Sequence, residues 1–256
     1  MSWYNVLVKK GRSINMGRAF EVRKSAMAKT SAAKTKVYSR FGKEIYVAAK
    51  AGIPDPEMNV GLRRIIEKAR ANQVPADIIK RAIEKAKGGG AEQYTDVRYE
   101  GFGPGASTVV IDCLTDNVNR TYSEIRNCFN KSKSKIGVQG SVLHTYDSLG
   151  ILSFAYDDED KMLEALIEHE VDVKDLELED GLMTLYVEPT DLYKAKDAVE
   201  TILPECEFST LENTLLPHDY VSLVEDEDKQ MFERLMGMID EIDDVQNVFH
   251  NVSSDE

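Results

Sequence analysis

Apolar residues recur at three- and four-residue steps through Val37/Tyr38, Phe41, Ile45 and Ala48/Ala49, which predicts a helix from about Ala32. Gly52-Ile53-Pro54 stops it, and Asp55-Pro56 supplies an N-cap with a proline suited to the first helical turn. The helix predicted next turns Leu62, Ile65, Ile66 and Ala69 inward and leaves Arg63, Arg64, Lys68 and Arg70 outside. A third begins near Pro75, with Ile78, Ile79, Ala82, Ile83 and Ala86 on one face, and Gly88-Gly89-Gly90 ends it and reads as a hinge. Three short helices with one apolar stripe each make a small bundle.

After the glycines the period shifts between two and 3.6. Strands are expected at Ser107–Leu114, Ser141–Tyr146, Ile151–Tyr156, Lys174–Leu178 and Leu182–Val187, near Phe208, at Leu211–Leu216 and at Val245–Asn251. Helices are expected around Val118–Asn130, Asp158–His169, Asp191–Ile202 and Glu225–Ile242. Residues 148–210 read β-α-β-β-α-β, the ferredoxin-like order. What flanks them, 91–147 and 211–256, supplies a second, discontinuous α/β domain that the first interrupts. The fold class is therefore α+β in three domains, with a basic helical domain over 16–90. Residues 1–15 carry no helical or strand period and are expected to be a flexible extension, since Met16-Gly17-Arg18 offers a second start.

Charge sharpens this division. Residues 1–90 hold 20 Lys/Arg against 7 Asp/Glu, and residues 91–256 hold 12 against 38, so the net charge of −13 conceals a cationic head on an anionic body. Such a head meets a polyanion, and nucleic acid leads. Helical cations are usually a solvated surface with acids at four-residue spacing. Here Glu67 is the only acid between Arg63 and Ala76, and residues 16–43 contain only Glu21. The candidate contacts are Arg18, Arg23, Lys24, Lys29, Lys34, Lys36, Arg40 and Lys43, then Arg63, Arg64, Lys68 and Arg70. On the body, Lys131, Lys133 and Lys135 make a smaller patch in the loop Asn130–Gly137, as readily a solvated loop as a phosphate contact, and Arg120 joins Lys131 and Lys133 among the candidates. Residues 16–36 have few large apolar side chains and are expected to order on a partner.

Other chemistry finds little support. No apolar run approaches the ~18–20 residues of a membrane span, no signal peptide opens the chain, and Cys113, Cys128 and Cys206 make neither a disulfide framework nor a zinc pattern. The expectation is a cytoplasmic protein without cofactor or metal. Gly101-Phe102-Gly103-Pro104-Gly105 precedes a strand, unlike a dinucleotide fingerprint, and reads as a tight turn. Asn117-Val118-Asn119-Arg120-Thr121 reads as a helix cap, leaving Arg120 to meet a phosphate or an acid of the body. The acidic runs Asp157–Asp160 and Glu225–Asp228 suit the positive ends of helices better than a calcium loop. His144, His169, His218 and His250 share no ligand or triad spacing, and no nucleophile, base and oxyanion site assemble, so the chain is read as a non-enzyme.

The motifs also occur in a familiar order: Met16-Gly17-Arg18, Phe41-Gly42-Lys43-Glu44-Ile45, Gly52-Ile53-Pro54-Asp55-Pro56, Asn59, Val74-Pro75 and Ala82–Gly89. Tyr99–Pro104, Asn119-Arg120-Thr121, Gly140-Ser141-Val142 and Asp244–Asn251 follow. In this the chain resembles the YebC family, often catalogued as transcriptional regulators, and is most similar to its YeeN-like branch. The resemblance covers Met16 to about Val252 and implies a helical domain and two α/β domains, one inserted in the other. It further implies engagement of nucleic acid, since some members are described as DNA-binding and mitochondrial relatives activate translation. Ala19-Phe20 stands where many relatives carry a Lys-Trp pair, so contacts of that tryptophan do not transfer. The expected function is a nucleic-acid-binding regulator of gene expression, a DNA-binding transcriptional regulator. The alternative is a ribosome-associated translation factor that binds ribosomal RNA by shape and backbone.

Overall fold

Three helices open the structure, a computed structural model that describes residues 34–253. The extension over 1–15 and the candidates Arg18, Arg23, Lys24 and Lys29 lie outside the described residues. Helices α1 (Lys34–Ala51), α2 (Val60–Ala71) and α3 (Ala76–Lys87) enclose Phe41, Ile45, Ala49, Leu62, Ile66, Ala69, Ile79 and Ala82 from the stripes their spacing defined, with Val74 of the connecting loop among them. One start differs. Asn59, not Asp55, caps α2: its side-chain oxygen accepts from the Leu62 N–H at 3.0 Å while its amide donates to the Ala48 and Ile53 carbonyls. Asp55 instead accepts from the Glu57 N–H in the preceding turn. Asn59 wins because it satisfies at once a donor of α2, a carbonyl in the last turn of α1 and a carbonyl of the loop between them.

The body holds two four-stranded antiparallel sheets. The first has the order β3-β1-β2-β8, from β1 (Thr95–Phe102), β2 (Thr108–Thr115), β3 (Lys135–Ile136) and β8 (Val245–His250). Helices α4 (Val118–Lys131) and α7 (Asp226–Asp240) cover one of its faces. Ile125, Phe129, Phe232, Leu235 and Ile239 from these helices meet Val109, Ile111 and Cys113 from β2. Burial pushes the Cys113 thiol up to about 12, so it stays protonated as part of this core. Val110 and Phe249 point the other way and meet Tyr146 and Leu215, joining the two sheets.

The second sheet has the order β5-β6-β4-β7, from β4 (Tyr146–Ala155), β5 (Val173–Glu179), β6 (Leu182–Val187) and β7 (Phe208–Pro217). With α5 (Glu159–Glu168) and α6 (Leu192–Ile202) packed on Leu152, Phe154, Met183, Leu185 and Val187, it is a ferredoxin-like β-α-β-β-α-β unit. The two sheets share one spatial order. In the first, the strand beside the edge, β1, comes before the others in the chain instead of between the two helices.

Several strands differ from expectation. Ser141–Thr145 is a loop ending in a short 3-10 turn, and β4 is one continuous strand. The segments near Phe208 and at Leu211–Leu216 are also one strand, β7, paired with β4 from Phe154↔Phe208 to Tyr146↔Pro217. Two strands of the first sheet, β1 and the short β3, were not announced by the pattern, while Leu211–Leu216, expected in this domain, lies in the second sheet. Gly101 belongs to β1, not to the turn, pairing with Val109, and the Phe129 ring occupies the space where its Cβ would stand. The turn itself is confined to Pro104–Ala106, where Gly105 takes a φ of 59°. Gly101→Ala is expected to destabilise the fold by about 1–3 kcal/mol through overpacking against Phe129. Chemical denaturation would measure this, and a neutral result would mean that the ring moves freely aside. Among the described residues, no helix is long and apolar enough to cross a membrane.

Candidate nucleic-acid interface

Residues 34–90 carry 13 Lys/Arg and 6 Asp/Glu, yet most of the candidate cations are already in use. Lys36 Nζ lies 3.2 Å and Arg40 Nη2 3.1 Å from the two carboxylate oxygens of Asp240, the last residue of α7. Lys43 Nζ donates to Asp244 Oδ1 at 2.8 Å and to the Asp243 carbonyl at 2.9 Å. Arg120 Nη2 reaches Asp244 Oδ2 at 2.6 Å and Asp116 at 2.8 Å, and Lys133 pairs with Glu227. Of the two roles open to Arg120, the structure shows the pairing with acids of the body.

Asp244 is the junction of this network, with its side chain only 5% exposed. Thr115 and Thr121 hydroxyls donate to its Oδ2 at 2.9 and 2.8 Å, and its carbonyl accepts the Leu114 N–H. Burial pushes its carboxyl up, but hydrogen bonds from Lys43, Arg120, Thr121 and Thr115 outweigh that and hold it well below the ordinary carboxylate range. The Phe41–Ile45, Asn119–Thr121 and Asp244–Asn251 segments thus meet at one carboxylate. Asn117 caps α4 as its position suggested, accepting from the Arg120 N–H at 3.1 Å.

Arg63 and Arg64 are engaged as well. Arg63 staples the loop before α2, donating from Nε to the Pro56 carbonyl at 3.0 Å and from Nη2 to the Glu57 carbonyl at 2.8 Å. The Arg64 guanidinium lies 3.8 Å from the ring centre of Tyr193 on α6. Lys34, Lys68, Arg70 and Lys131 are exposed and form no ion pair with a described residue. Lys131 borders a cleft of about 600 Å³ between α1, α4 and α7, walled also by Ser39, Lys43, Tyr94, Asn127 and Asp243.

The expected hinge is clamped. Tyr46 Oη donates to the Gly90 and Glu92 carbonyls, both at 3.0 Å, and Lys50 Nζ donates to the same two at 2.8 and 2.7 Å. Lys85 adds an ion pair with Glu92 at 2.5 Å. A glycine run frees the backbone only where nothing holds its carbonyls, and here side chains of α1 and α3 do. Nothing in the sequence marks Tyr46, Lys50, Tyr193 or Asp240 as contact residues. Asp244 alone left a signal, as the acid that opens the Asp244–Asn251 motif.

The family model for the TACO1/YebC protein N-terminal domain matches residues 18–89, and that for the TACO1/YebC second and third domain matches residues 94–252. The chain is 51% identical over 236 residues to a protein of Idiomarina loihiensis named a probable transcriptional regulatory protein, covering 92% of this chain and 99% of that one. A protein of the same description from Acholeplasma laidlawii is 51% identical over 241 residues, covering 93% and 99%. The crystal structure of a conserved hypothetical protein from Aquifex aeolicus is similar at a TM-score of 0.71 and 33% identity, covering 88% of this chain and 93% of that one.

Proposed function

Because the chain belongs to the TACO1/YebC family, we propose that it regulates gene expression in the cytoplasm by binding nucleic acid through its helical head. The carrying observation is the charge division: the head holds a surplus of cations while the rest of the chain is acidic and turns polyanions away. The relatives named as transcriptional regulatory proteins support regulation of gene expression and make DNA the first target to consider. The reading is of a non-enzymatic protein whose affinity comes mainly from phosphate contacts and falls steeply with salt.

A specific observation favours the second reading, a ribosome-associated translation factor. Two of the three arginines on α2, Arg63 and Arg64, are committed to loop carbonyls and to Tyr193, which leaves Arg70, among the described residues, as the one guanidinium there free to reach a base edge. The exposed pair Lys68 and Arg70 suits backbone and shape contacts of the kind structured RNA offers.

Co-sedimentation with ribosomes, with promoter duplex as competitor, separates the two readings. A Lys68→Glu/Arg70→Glu variant, which leaves the Arg63 staple and the Arg64 stack intact, is the control. Retention despite duplex, lost at least tenfold in the variant, is the outcome expected of a translation factor. Displacement by a specific duplex but not by scrambled DNA would establish the transcriptional reading. Binding indifferent to salt and to the variant would overturn both.

A further inference from the structure

We propose that the acidic end of α7 is an intramolecular occupant of a polyanion-binding face on α1, which it withholds until the helical head separates from the α/β body. The inference rests on the nucleic-acid reading above and adds to it a competition within the chain. Lys36, Arg40 and Lys43 are spaced by four and three residues, so they project from one face of α1. Two of them take one oxygen each of the Asp240 carboxylate, and the third takes Asp244 and the Asp243 carbonyl. A phosphate offers the same charge and a similar set of acceptor oxygens, so the groups that hold Asp240 suit a nucleic-acid backbone. The negative end of the α7 dipole, where Asp240 stands, strengthens the likeness.

Exposure shows which side is covered. The Lys36 and Arg40 side chains are 22% and 21% exposed, whereas Asp240 is 51% exposed, so the cations are the groups a strand of nucleic acid cannot reach. Release is nevertheless within reach: the clamp by Tyr46, Lys50 and Lys85 ties Gly90 and Glu92 to the head and can move with it, while the Arg64–Tyr193 stack has to part. Ion pairs as open as those of Asp240 are weak and screened by salt. When Lys43 leaves, Asp244 keeps Arg120, Thr115 and Thr121 as donors and is not orphaned. The body therefore stays satisfied after separation, while the three cations on α1 gain by meeting phosphates.

The test is a double-mutant cycle on binding of a short fluorescein-labelled RNA hairpin, repeated with a DNA duplex of equal length. Asp240→Asn removes the shared acceptor, Lys36→Gln/Arg40→Gln removes the cations, and Glu164→Gln on α5 controls for loss of one negative charge. Asp240→Asn is expected to bind about three- to tenfold more tightly than the unaltered chain, with Glu164→Gln unchanged and the gain absent in the Lys36→Gln/Arg40→Gln background. A gain that persists without those cations, or equals that of Glu164→Gln, would overturn the occupancy of α1 while leaving nucleic-acid binding intact. If no form of the chain binds either probe, the nucleic-acid reading falls and this inference with it.

Discussion

Asp244→Asn is expected to destabilise the protein by about 3 kcal/mol, at the lower end of the range for removing one partner of a buried ion pair. The lower end applies because Arg120 keeps Asp116, whereas Lys43 is left with only the Asp243 carbonyl. Asp116→Asn, at a half-exposed pair, is the internal comparison and should cost less than about 1 kcal/mol. Urea unfolding at neutral pH measures both. The pH dependence follows from the lowered carboxyl of Asp244. Its stabilisation is fully present above the ordinary value of about 3.9. It is lost as pH falls through the lower value of the folded state. The gap between the parent chain and Asp244→Asn should therefore narrow below about pH 4. A constant gap down to acid would mean that shape, not charge, makes the junction.

Glu100→Gln is expected to cost about 2–4 kcal/mol, because it misplaces a donor among donors. Glu100 is 2% exposed and accepts from the N–H groups of Gly140, Val142 and Leu143 at 2.6, 2.6 and 2.8 Å. Burial pushes its carboxyl up, but these three bonds, with Arg98 nearby, bring it below its ordinary value. Both oxygens are needed as acceptors, and glutamine offers one. The 137–143 loop should loosen first, so amide exchange at Gly140, Val142 and Leu143 should quicken more than in the bundle. Unchanged exchange there would show that the loop holds itself. The sign with pH is that of Asp244: the contribution is present above the ordinary carboxylate range and lost in acid.

The bundle was legible because each helix buries a stripe set by residues three and four apart, and the positions from Phe41 to Ala82 packed as spaced. The second sheet was legible for a similar reason, its β-α-β-β-α-β elements forming one uninterrupted stretch of chain with two amphipathic helices. β1 was not. Its register pairs Arg98 with Asp112 and places Glu100 under a loop, so its polar residues serve partners that local spacing cannot reveal. Glycines that look like a turn partly serve the Phe129 ring. The candidate interface divides in the same way. The surplus of cations is a property of composition, whereas Lys36 and Asp240 are 204 residues apart in sequence, and nothing near either announces the other.

The place of β8 in the first sheet sets an order in which the parts can fold. The helical head and the second sheet, Tyr146–Pro217, are contiguous in the chain, and each can close as soon as its last residue emerges. The first sheet cannot, because β2 waits for Val245–His250 to cover its edge, and Lys43, Arg120 and Thr121 wait for Asp244. Until then the nascent chain carries an open strand edge, which is prone to pairing with other chains. A chain that stops short of Val245 loses the strand that seals this edge, and its vulnerability lies at β2, far in sequence from the break.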